Sequence, residues 1–166
     1  MRYLMLLLVL VLTACGSEQG NDQARSPVAI QQGDECHLCG MLISGFPGPK
    51  GQAWSEGRQR KFCSTRDLLT WALDPEHSAT VRQIWVHDMS QNDWSHPLDT
   101  TFIDGRQAWY VLGSRARGAM GPTLASFASK ELALAFAAEQ GGTVLAFTEL
   151  TLDRLNAQAG DAHPGH

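Results

Sequence analysis

The amino-acid sequence predicts an α+β fold composed of two similar small ββαβ-like halves packed together. Two segments have the apolar spacing of helices, and each is introduced by a Phe-x-Ser motif, at Phe62 and at Phe127. The motifs lie 65 residues apart, and a segment typical of a β-strand follows each helix. Helices that alternate with strands at a fixed offset indicate an internal duplication of one α+β unit.

A secretion signal precedes the predicted fold. Arg2 supplies a positive charge, and residues 4–12 form an aliphatic run that is too short to cross a bilayer as a stable helix. The run ends in Leu12-Thr13-Ala14-Cys15, which resembles the lipobox of bacterial lipoproteins. We predict that residues 1–14 are removed as a signal peptide and that Cys15 becomes the lipid-attachment residue. The alternative is an ordinary signal peptide with a cysteine near its cleavage site.

The predicted lipid anchor determines the expected location. A multiply acylated cysteine holds a protein firmly at a membrane, so we expect the chain on the periplasmic side of a bacterial membrane. By the sorting rule for bacterial lipoproteins, Gly16 favours the outer membrane. Residues 15–32 contain few apolar side chains, which predicts a lipid anchor followed by a flexible leash.

Beyond the leash we predict an N-terminal half at residues 33–99, a C-terminal half at residues 100–152 and a polar, histidine-containing tail at residues 153–166. The net charge is −4, and the lysines and arginines are scattered along the chain. A basic stripe is therefore lacking, and nucleic acid is not an expected partner.

The first predicted helix covers residues 65–73. Ser64 is a suitable N-cap, and Asp67 follows three residues later, as in a capping box. Asp74-Pro75 ends the helix, because proline cannot continue the hydrogen-bond ladder.

Strands and a second helix follow. A β-rich run covers residues 84–89, and residues 100–111 are predicted to form two strands around the turn Asp104-Gly105, a strong hairpin signal. Residues 129–140 are rich in alanine, leucine and glutamate, and a glycine pair ends this second helix. Strand character returns over residues 143–150.

The segment richest in reactive side chains is Asp34-Glu35-Cys36-His37-Leu38-Cys39-Gly40-Met41, with two thiols, an imidazole and a thioether. Structural zinc is disfavoured, because a closed site needs four ligands and no second C-x-x-C or H-x-x-x-H pair follows. Covalent haem attachment is excluded, because Gly40 stands where the axial histidine would be. A thioredoxin-like pair would open a helix, whereas residues 40–51 have the glycines and prolines of an irregular loop.

Soft-metal binding fits this segment best, because thiolate and thioether ligands select Cu(I). The main alternative is a structural disulfide, either Cys36 with Cys39 or one of them with Cys63. Three thiols remain once Cys15 is acylated. An odd number leaves at least one free thiol in an exported protein, which favours a thiol that has a function.

Several blocks of the sequence resemble the NosL family of copper lipoproteins, accessory proteins of nitrous oxide reductase maturation, over nearly the whole chain. Besides the lipobox, they are Asp34-x-Cys36-His37-x-Cys39-Gly40-Met41, Ala108-Trp109-Tyr110-Val111-x-Gly113-Ser114, Gly118-Ala119-Met120-Gly121, and Phe127-Ala128-Ser129 leading to Gly141-Gly142-x-Val144-x-x-Phe147. The resemblance implies a two-part α+β fold similar to that of the organomercurial lyase family. It also implies Cu(I) binding and delivery of copper to nitrous oxide reductase with an associated ABC-type membrane transporter.

The candidate copper ligands within this resemblance are five side chains and one weaker candidate: Cys36, Cys39, Met41, Met120, His37 and, with less support, Cys63. Neutral thioether or imidazole ligands weaken the hold on Cu(I), as transfer to another protein requires. The chain departs from the family pattern at Gly118-Ala119-Met120, where a proline often precedes the methionine, and at Cys63, where an acidic residue is commoner.

Several side chains that could bind a metal also have a structural explanation. Met120 can fill a core gap, although its neighbouring glycines favour an exposed loop, and His37 is equally compatible with a solvent-exposed side chain. His87 and Met89 share one face of a strand, which is more often half-buried sheet than a second site. The tail histidines, His163 and His166, can collect copper, but short histidine tails are often incidental.

No enzyme motif competes with this interpretation. The chain has no G-x-S-x-G elbow, no phosphate-binding G-x-x-x-x-G-K-[ST] loop and no H-E-x-x-H pair, so we predict that it is not an enzyme. A second hypothesis is a periplasmic, membrane-anchored thiol-disulfide oxidoreductase that uses Cys36 and Cys39. The sequence is compatible with a monomer and with a metal-bridged dimer.

Overall fold

The computed structural model describes residues 25–160, with side chains for residues 25–157. The predicted signal peptide, the lipid-attachment residue Cys15, Gly16 and the two tail histidines lie outside the described residues. Within the described part of the chain, no helix is long and apolar enough to cross a membrane.

The first sheet has four antiparallel strands in the order β2-β1-β3-β4. They are β1 (Gly51–Ser55), β2 (Arg58–Phe62), β3 (Val81–His87) and β4 (Phe102–Asp104). Helices α1 (Thr65–Leu73) and α2 (Pro75–Ser78) connect β2 to β3. Helix α1 packs closely on β1, because a Cβ added at Gly51 would lie 2.5 Å from Cδ2 of Leu68.

The second sheet is antiparallel and has three strands in the order β8-β5-β9. They are β5 (Trp109–Leu112), β8 (Ala125–Phe127) and β9 (Thr143–Ala146), and helix α3 (Lys130–Gln140) connects β8 to β9. A two-stranded ribbon, β6 (Arg117–Gly118) and β7 (Gly121–Pro122), is inserted between β5 and β8. Helix α4 (Leu152–Gly160) ends the described chain and contacts α1.

The two sheets repeat one connectivity, which confirms the predicted α+β class with two ββαβ units. The path β1-β2-α1-β3 gives the spatial order β2-β1-β3, and the path β5-β8-α3-β9 gives the order β8-β5-β9. Phe62 and Phe127 are the last residues of β2 and β8. Ser64 and Ser129 each accept a hydrogen bond from the backbone N–H three residues later. The likeness to organomercurial lyases stays a prediction.

The predicted hairpin around Asp104-Gly105 is wrong. Strand β4 pairs with β3 in the first sheet, whereas β5 pairs with β8 and β9 in the second sheet. The chain changes sheets at this turn, where the buried Tyr110 hydroxyl donates to the carbonyl of Gly105 at 2.6 Å. A Cβ at Gly105 would lie 2.9 Å from Cγ1 of Ile84, so the turn is pressed against the first sheet. Strand β4 belongs to the first sheet, although it lies after residue 100, where we expected the second half to begin.

Part of the predicted leash is bound to the domain. The side-chain amide of Gln52 accepts from the N–H of Val28 at 3.0 Å and donates to its carbonyl at 2.6 Å. The N–H of Ile30 donates to Asp99 at 2.7 Å. The two bonds to Gln52 resemble the backbone hydrogen bonds between paired strands. Together with the bond to Asp99, they hold residues 28–30 against the domain, although the neighbouring residues in the sequence are polar.

The last strand is shorter than predicted, and much of the predicted tail is helical. The segment 143–150 ends its strand at Ala146 and continues as a 3₁₀ turn at Phe147–Glu149. Residues 152–160, most of which we assigned to a polar tail, form α4 instead. Its Leu155 is only 1% exposed, because the helix buries this side chain in the main core.

Buried polar side chains join the two halves. Thr65 Oγ1 lies 3.1 Å from Thr123 Oγ1 and donates to the carbonyl of Leu124. Ser126 Oγ donates to the carbonyl of His87 at 2.7 Å, which links β8 to the end of β3. The three hydroxyl side chains are at most 2% exposed. Because water cannot replace these bonds, a change in how the halves pack would leave buried polar groups unpaired.

We predict that Gly142→Ala destabilises the protein by at least about 3 kcal/mol. Gly142 has a φ of +101°, and a Cβ there would lie 2.7 Å from the carbonyl oxygen of Leu112 and 2.9 Å from the nitrogen of Ser114. The control is Gly57→Ala, where φ is +73° and the space is open, so it should cost only about 1 kcal/mol. Urea unfolding measures both, and equal losses would contradict the close contact between this turn and β5.

Candidate metal centre

Three thiols and a carboxylate converge in the first half of the fold. The Sγ atoms of Cys36, Cys39 and Cys63 and a carboxylate oxygen of Asp67 all lie within 4.8 Å of one another. We call these four residues the thiol cluster. It joins the C-x-x-C segment to the junction between β2 and α1, which are more than 20 residues apart in sequence.

A tight turn positions Cys36 and Cys39. The N–H of Cys36 donates to the carbonyl of Met41 at 2.8 Å, and the N–H of Gly40 donates to the carbonyl of Cys36 at 2.8 Å. Gly40 has a φ of +73°, a conformation that favours glycine. The N–H of His37 donates to the carbonyl of Lys61 at 2.8 Å, and this bond attaches the turn to β2.

The start of α1 positions Cys63 and Asp67. Ser64 caps the helix by accepting from the N–H of Asp67 at 3.0 Å, and its hydroxyl lies 3.2 Å from Oδ1 of Asp67. The second carboxylate oxygen, Oδ2, lies 3.4 Å from the sulfurs of both Cys36 and Cys63. The carboxylate therefore belongs both to the helix cap and to the thiol cluster.

The thiol cluster is open on one side only. Cys36 and Cys63 are 2% and 0% exposed, whereas Cys39 is exposed. The sulfur of Cys39 lies 3.6 Å from that of Cys63. A ligand or a partner protein therefore reaches the cluster through Cys39.

The three thiols have different proton affinities. The thiol of Cys63 donates to the sulfur of Cys36, and backbone N–H groups also donate to it, which lowers the pKa of Cys36 to about 6. The same thiol–thiolate bond, together with burial, raises the pKa of Cys63. Partial burial raises the pKa of Cys39. Of the three thiols, Cys36 therefore gives up its proton most readily.

The other predicted ligands lie around the thiol cluster rather than in it. The imidazole of His37 meets the edges of the Phe62 and Trp71 rings, with centroids 5.9 and 5.4 Å away, and burial lowers its pKa. Met41 is half-buried, and its carbonyl is used by the turn. Met120 is 54% exposed in the turn between β6 and β7. The roles of these three side chains as ligands stay predictions.

The ribbon that carries Met120 is attached to the same end of α1 as the thiol cluster. The guanidinium of Arg66 donates to the carbonyl of Pro122 at 3.4 Å, and Thr123 contacts Thr65. Because Cys63 precedes Thr65 by only two positions, these contacts attach the base of the ribbon to the end of α1 that lies next to the thiol cluster.

His87 and Met89 have structural surroundings. Nδ1 of His87 accepts from the N–H of Lys50 at 3.2 Å, Nε2 lies 3.3 Å from Oδ1 of Asp99, and the residue is 1% exposed. Burial lowers the pKa of His87 to about 4, so the imidazole is neutral at physiological pH. Met89 follows β3 in a 3₁₀ turn. It packs in a second apolar cluster, separate from the main core and formed by Met89, Val111, Ala125, Phe127 and Ala133.

The donor set suits a soft metal ion. Thiolates bind Cu(I) and Zn²⁺, whereas Mg²⁺ and Ca²⁺ prefer oxygen. Sequence reasoning gave Cys63 a minor role and missed Asp67, whose place three residues after Ser64 indicated only a helix cap. The available signal was that Cys63 immediately precedes the cap residue Ser64, while Asp67 lies in the first turn of the helix.

Comparisons with known proteins identify relatives of this chain. A family model described as NosL matches residues 27–155. The chain is 44% identical over 162 residues to the copper-binding lipoprotein NosL of Stutzerimonas stutzeri, covering 98% of this chain and 85% of that protein. It is 38% identical over 120 residues to the copper-binding lipoprotein NosL of Achromobacter cycloclastes, covering 69% of this chain and 62% of that protein.

Two solved structures have the same fold. The crystal structure of the copper chaperone NosL from Shewanella denitrificans matches with a TM-score of 0.77 at 46% identity, covering 78% of this chain and 98% of that chain. The solution structure of the apo-NosL protein from Achromobacter cycloclastes matches with a TM-score of 0.50 at 36% identity, covering 64% and 88%.

We predict that Cys36 titrates with a midpoint near pH 6 in the metal-free protein. Above that pH its thiolate absorbs in the far ultraviolet, and below it the sulfur is protonated. Cys63→Ala removes the donor and should move the midpoint up toward the ordinary value of 9.0. Cys63→Ser keeps an O–H donor and should leave the midpoint low, so an equal upward shift in both variants would contradict the hydrogen bond.

Proposed function

The chain belongs to the NosL family, and from this premise we propose that it is an extracytoplasmic copper chaperone, a lipoprotein that carries Cu(I) for the assembly of nitrous oxide reductase. The observation that carries the proposal is the convergence of three cysteine sulfurs within 4.8 Å of one another. Cu(I) accepts two to four soft donors. The thiol cluster therefore offers a complete sulfur site without any change in the backbone.

The burial of the three sulfurs suits a carrier. Cys36 and Cys63 are fixed in the core, so they hold the ion in place. Cys39 is exposed, so a sulfur ligand of an acceptor protein can replace it without unfolding the turn. Ligand exchange at the exposed position releases the ion stepwise, and no step leaves a bare Cu(I) ion.

Thioethers at the rim would make the site easier to empty. Met120 is exposed on a ribbon attached to the start of α1, and Met41 closes the turn that holds Cys36. Both are neutral donors that bind Cu(I) more weakly than thiolate does. We propose that they contact the ion during uptake or release, while His37, packed against the rings of Phe62 and Trp71, shapes the rim.

Lys50 is a buried cation in the first half of the fold. The ammonium group of Lys50 donates to the carbonyls of Phe46, Pro47 and Gly48. Burial lowers the pKa of Lys50 to about 8, against the attraction of Cys63, which raises it. Three thiolates around a monovalent ion leave a net negative charge, and the Lys50 ammonium group partly offsets it.

The lipobox at Leu12-Thr13-Ala14-Cys15 supports a lipid-anchored protein on the periplasmic side of a bacterial membrane, and Gly16 favours the outer membrane. The proposed partners are nitrous oxide reductase and its associated ABC-type transporter. A metal-bridged dimer is compatible with the exposed Cys39, as is a monomer. We propose no catalytic activity and no nucleic-acid partner.

The alternative function, a thiol-disulfide oxidoreductase that uses Cys36 and Cys39, has less support. The attacking thiol of such an enzyme combines a lowered pKa with exposure. Here the lowered pKa belongs to the buried Cys36, and the exposed Cys39 has a raised pKa.

Anaerobic titration of the reduced protein in detergent micelles with Cu(I), against a coloured Cu(I) chelator, tests the site. We expect one ion per chain. Cys36→Ser or Cys63→Ser should weaken binding by more than about 100-fold, because loss of even an outer-shell partner costs roughly 10- to 100-fold. Met120→Leu should weaken it by about tenfold, or 1.4 kcal/mol.

The matched control for Met120→Leu is Met89→Leu, the same chemical change in the second apolar cluster. It should leave Cu(I) affinity unchanged. If Cys63→Ser binds Cu(I) as tightly as the unaltered protein, the three-sulfur site is wrong.

Delivery is tested in denitrifying cells that lack the native chain. Cells producing the unaltered protein should yield nitrous oxide reductase with its copper centres filled. Cells producing the double variant Cys36→Ser and Cys63→Ser should yield reductase that contains little copper, because the carrier cannot load. Copper analysis of the purified reductase checks this, and full copper content in both strains would refute delivery by this chain.

A further inference from the structure

The thiol cluster contains an exposed sulfur in contact with a buried one. Cys39 is exposed, Cys63 is 0% exposed, and their Sγ atoms lie 3.6 Å apart. The sulfurs of a disulfide are about 2.05 Å apart, so side-chain rotation alone can close the gap. We propose that Cys39 and Cys63 are a redox modification site, and that their reversible disulfide closes the metal centre.

Disulfide exchange with an external disulfide accounts for the bond. The exposed Cys39 thiol loses its proton, slowly because its pKa is raised, and its sulfur attacks one sulfur of a low-molecular-weight disulfide, RSSR, to form a mixed disulfide. The proton departs with the first RSH. The sulfur of Cys63 then attacks the sulfur of Cys39 and expels the second RSH. Two thiols of the protein are oxidised, and one RSSR is reduced to two RSH.

The surroundings favour Cys63 over Cys36 as the partner of Cys39. The sulfur of Cys39 is in direct contact with that of Cys63, at 3.6 Å. Cys36 lies beside them, and its thiol donates to Oδ2 of Asp67 at 3.4 Å. Cys63 is therefore placed directly behind the exposed sulfur of Cys39.

The consequence for copper rests on the proposed function. The disulfide removes two of the three thiolates, and only Cys36 and Asp67 remain as charged donors. Carboxylate oxygen is a poor ligand for Cu(I), so the oxidised site should not hold the ion. Because disulfides persist in extracytoplasmic compartments, the metal-free protein would need a dithiol reductant before it can load. Bound Cu(I) would in turn protect the thiols.

The bond also crosslinks two parts of the fold. It joins the turn after Cys36 to the first residue before the cap of α1, and it closes a loop of the chain between residues 39 and 63. A loop of this size predicts a higher melting temperature for the oxidised protein, by about 5–10 °C.

The test uses the purified, lipidated protein in detergent micelles. The metal-free, reduced protein is incubated with oxidised glutathione, quenched by alkylation and digested for mass spectrometry. We expect a Cys39–Cys63 peptide, an alkylated Cys36, a melting temperature raised by about 5–10 °C, and a loss of Cu(I) affinity by more than about 100-fold. A dithiol reductant should restore binding, and protein loaded with Cu(I) beforehand should resist oxidation.

Three variants sharpen the result. Cys36→Ser should still form the disulfide, whereas Cys39→Ser and Cys63→Ser should not. A bond between Cys36 and Cys39, or glutathione that stays on Cys39, overturns the proposal. If the disulfide forms but the reduced protein does not bind Cu(I), the redox site stands and the proposed copper function fails instead.

Discussion

The carboxylate of Asp67 connects the fold to its chemistry. One of its oxygens contacts the hydroxyl of Ser64, which caps α1, and the other contacts the sulfurs of Cys36 and Cys63. The cap fixes the direction in which α1 leaves β2, and this direction determines where Cys63 points. The turn that carries Cys36 is bound separately to β2 through His37 and Lys61. The thiol cluster forms where these two attachments meet.

The internal duplication explains why there is one such cluster in the described structure. In the second half, the residues that occupy the places of Cys63 and Asp67 are Ala128 and Leu132, although the Phe-x-Ser motif and its cap are retained. The first half supplies the thiols. The second half supplies the packing against α1 and the inserted ribbon with Met120, in place of the short turn at Glu56-Gly57. The first repeat unit thus carries the thiol cluster, and the second unit packs against it and carries the ribbon.

Local signals in the sequence were sufficient for the elements whose ends are capped. Helices α1 and α3, their serine caps and the repeated connectivity were predicted, because caps and apolar spacing act within a few residues. Helix α4, which is as long as α1, was mostly assigned to a polar tail. The hairpin at Asp104-Gly105 was predicted wrongly, because the competing pairing of β4 with β3 and the Tyr110 bond to Gly105 are long-range. The same limit applies to the metal centre. The C-x-x-C segment predicted soft-metal binding, but Cys63 and Asp67 join it only through folding.

The proposed copper function depends on whether Cu(I) is held by sulfur atoms of the thiol cluster. X-ray absorption spectroscopy of the Cu(I)-loaded protein measures this most directly, since it identifies the elements bound to the metal and counts them. Trigonal Cu(I) sites have about three donors. We expect a first shell made mainly of sulfur, with about three sulfur atoms, and a shell dominated by nitrogen or oxygen would contradict ligation by the thiol cluster.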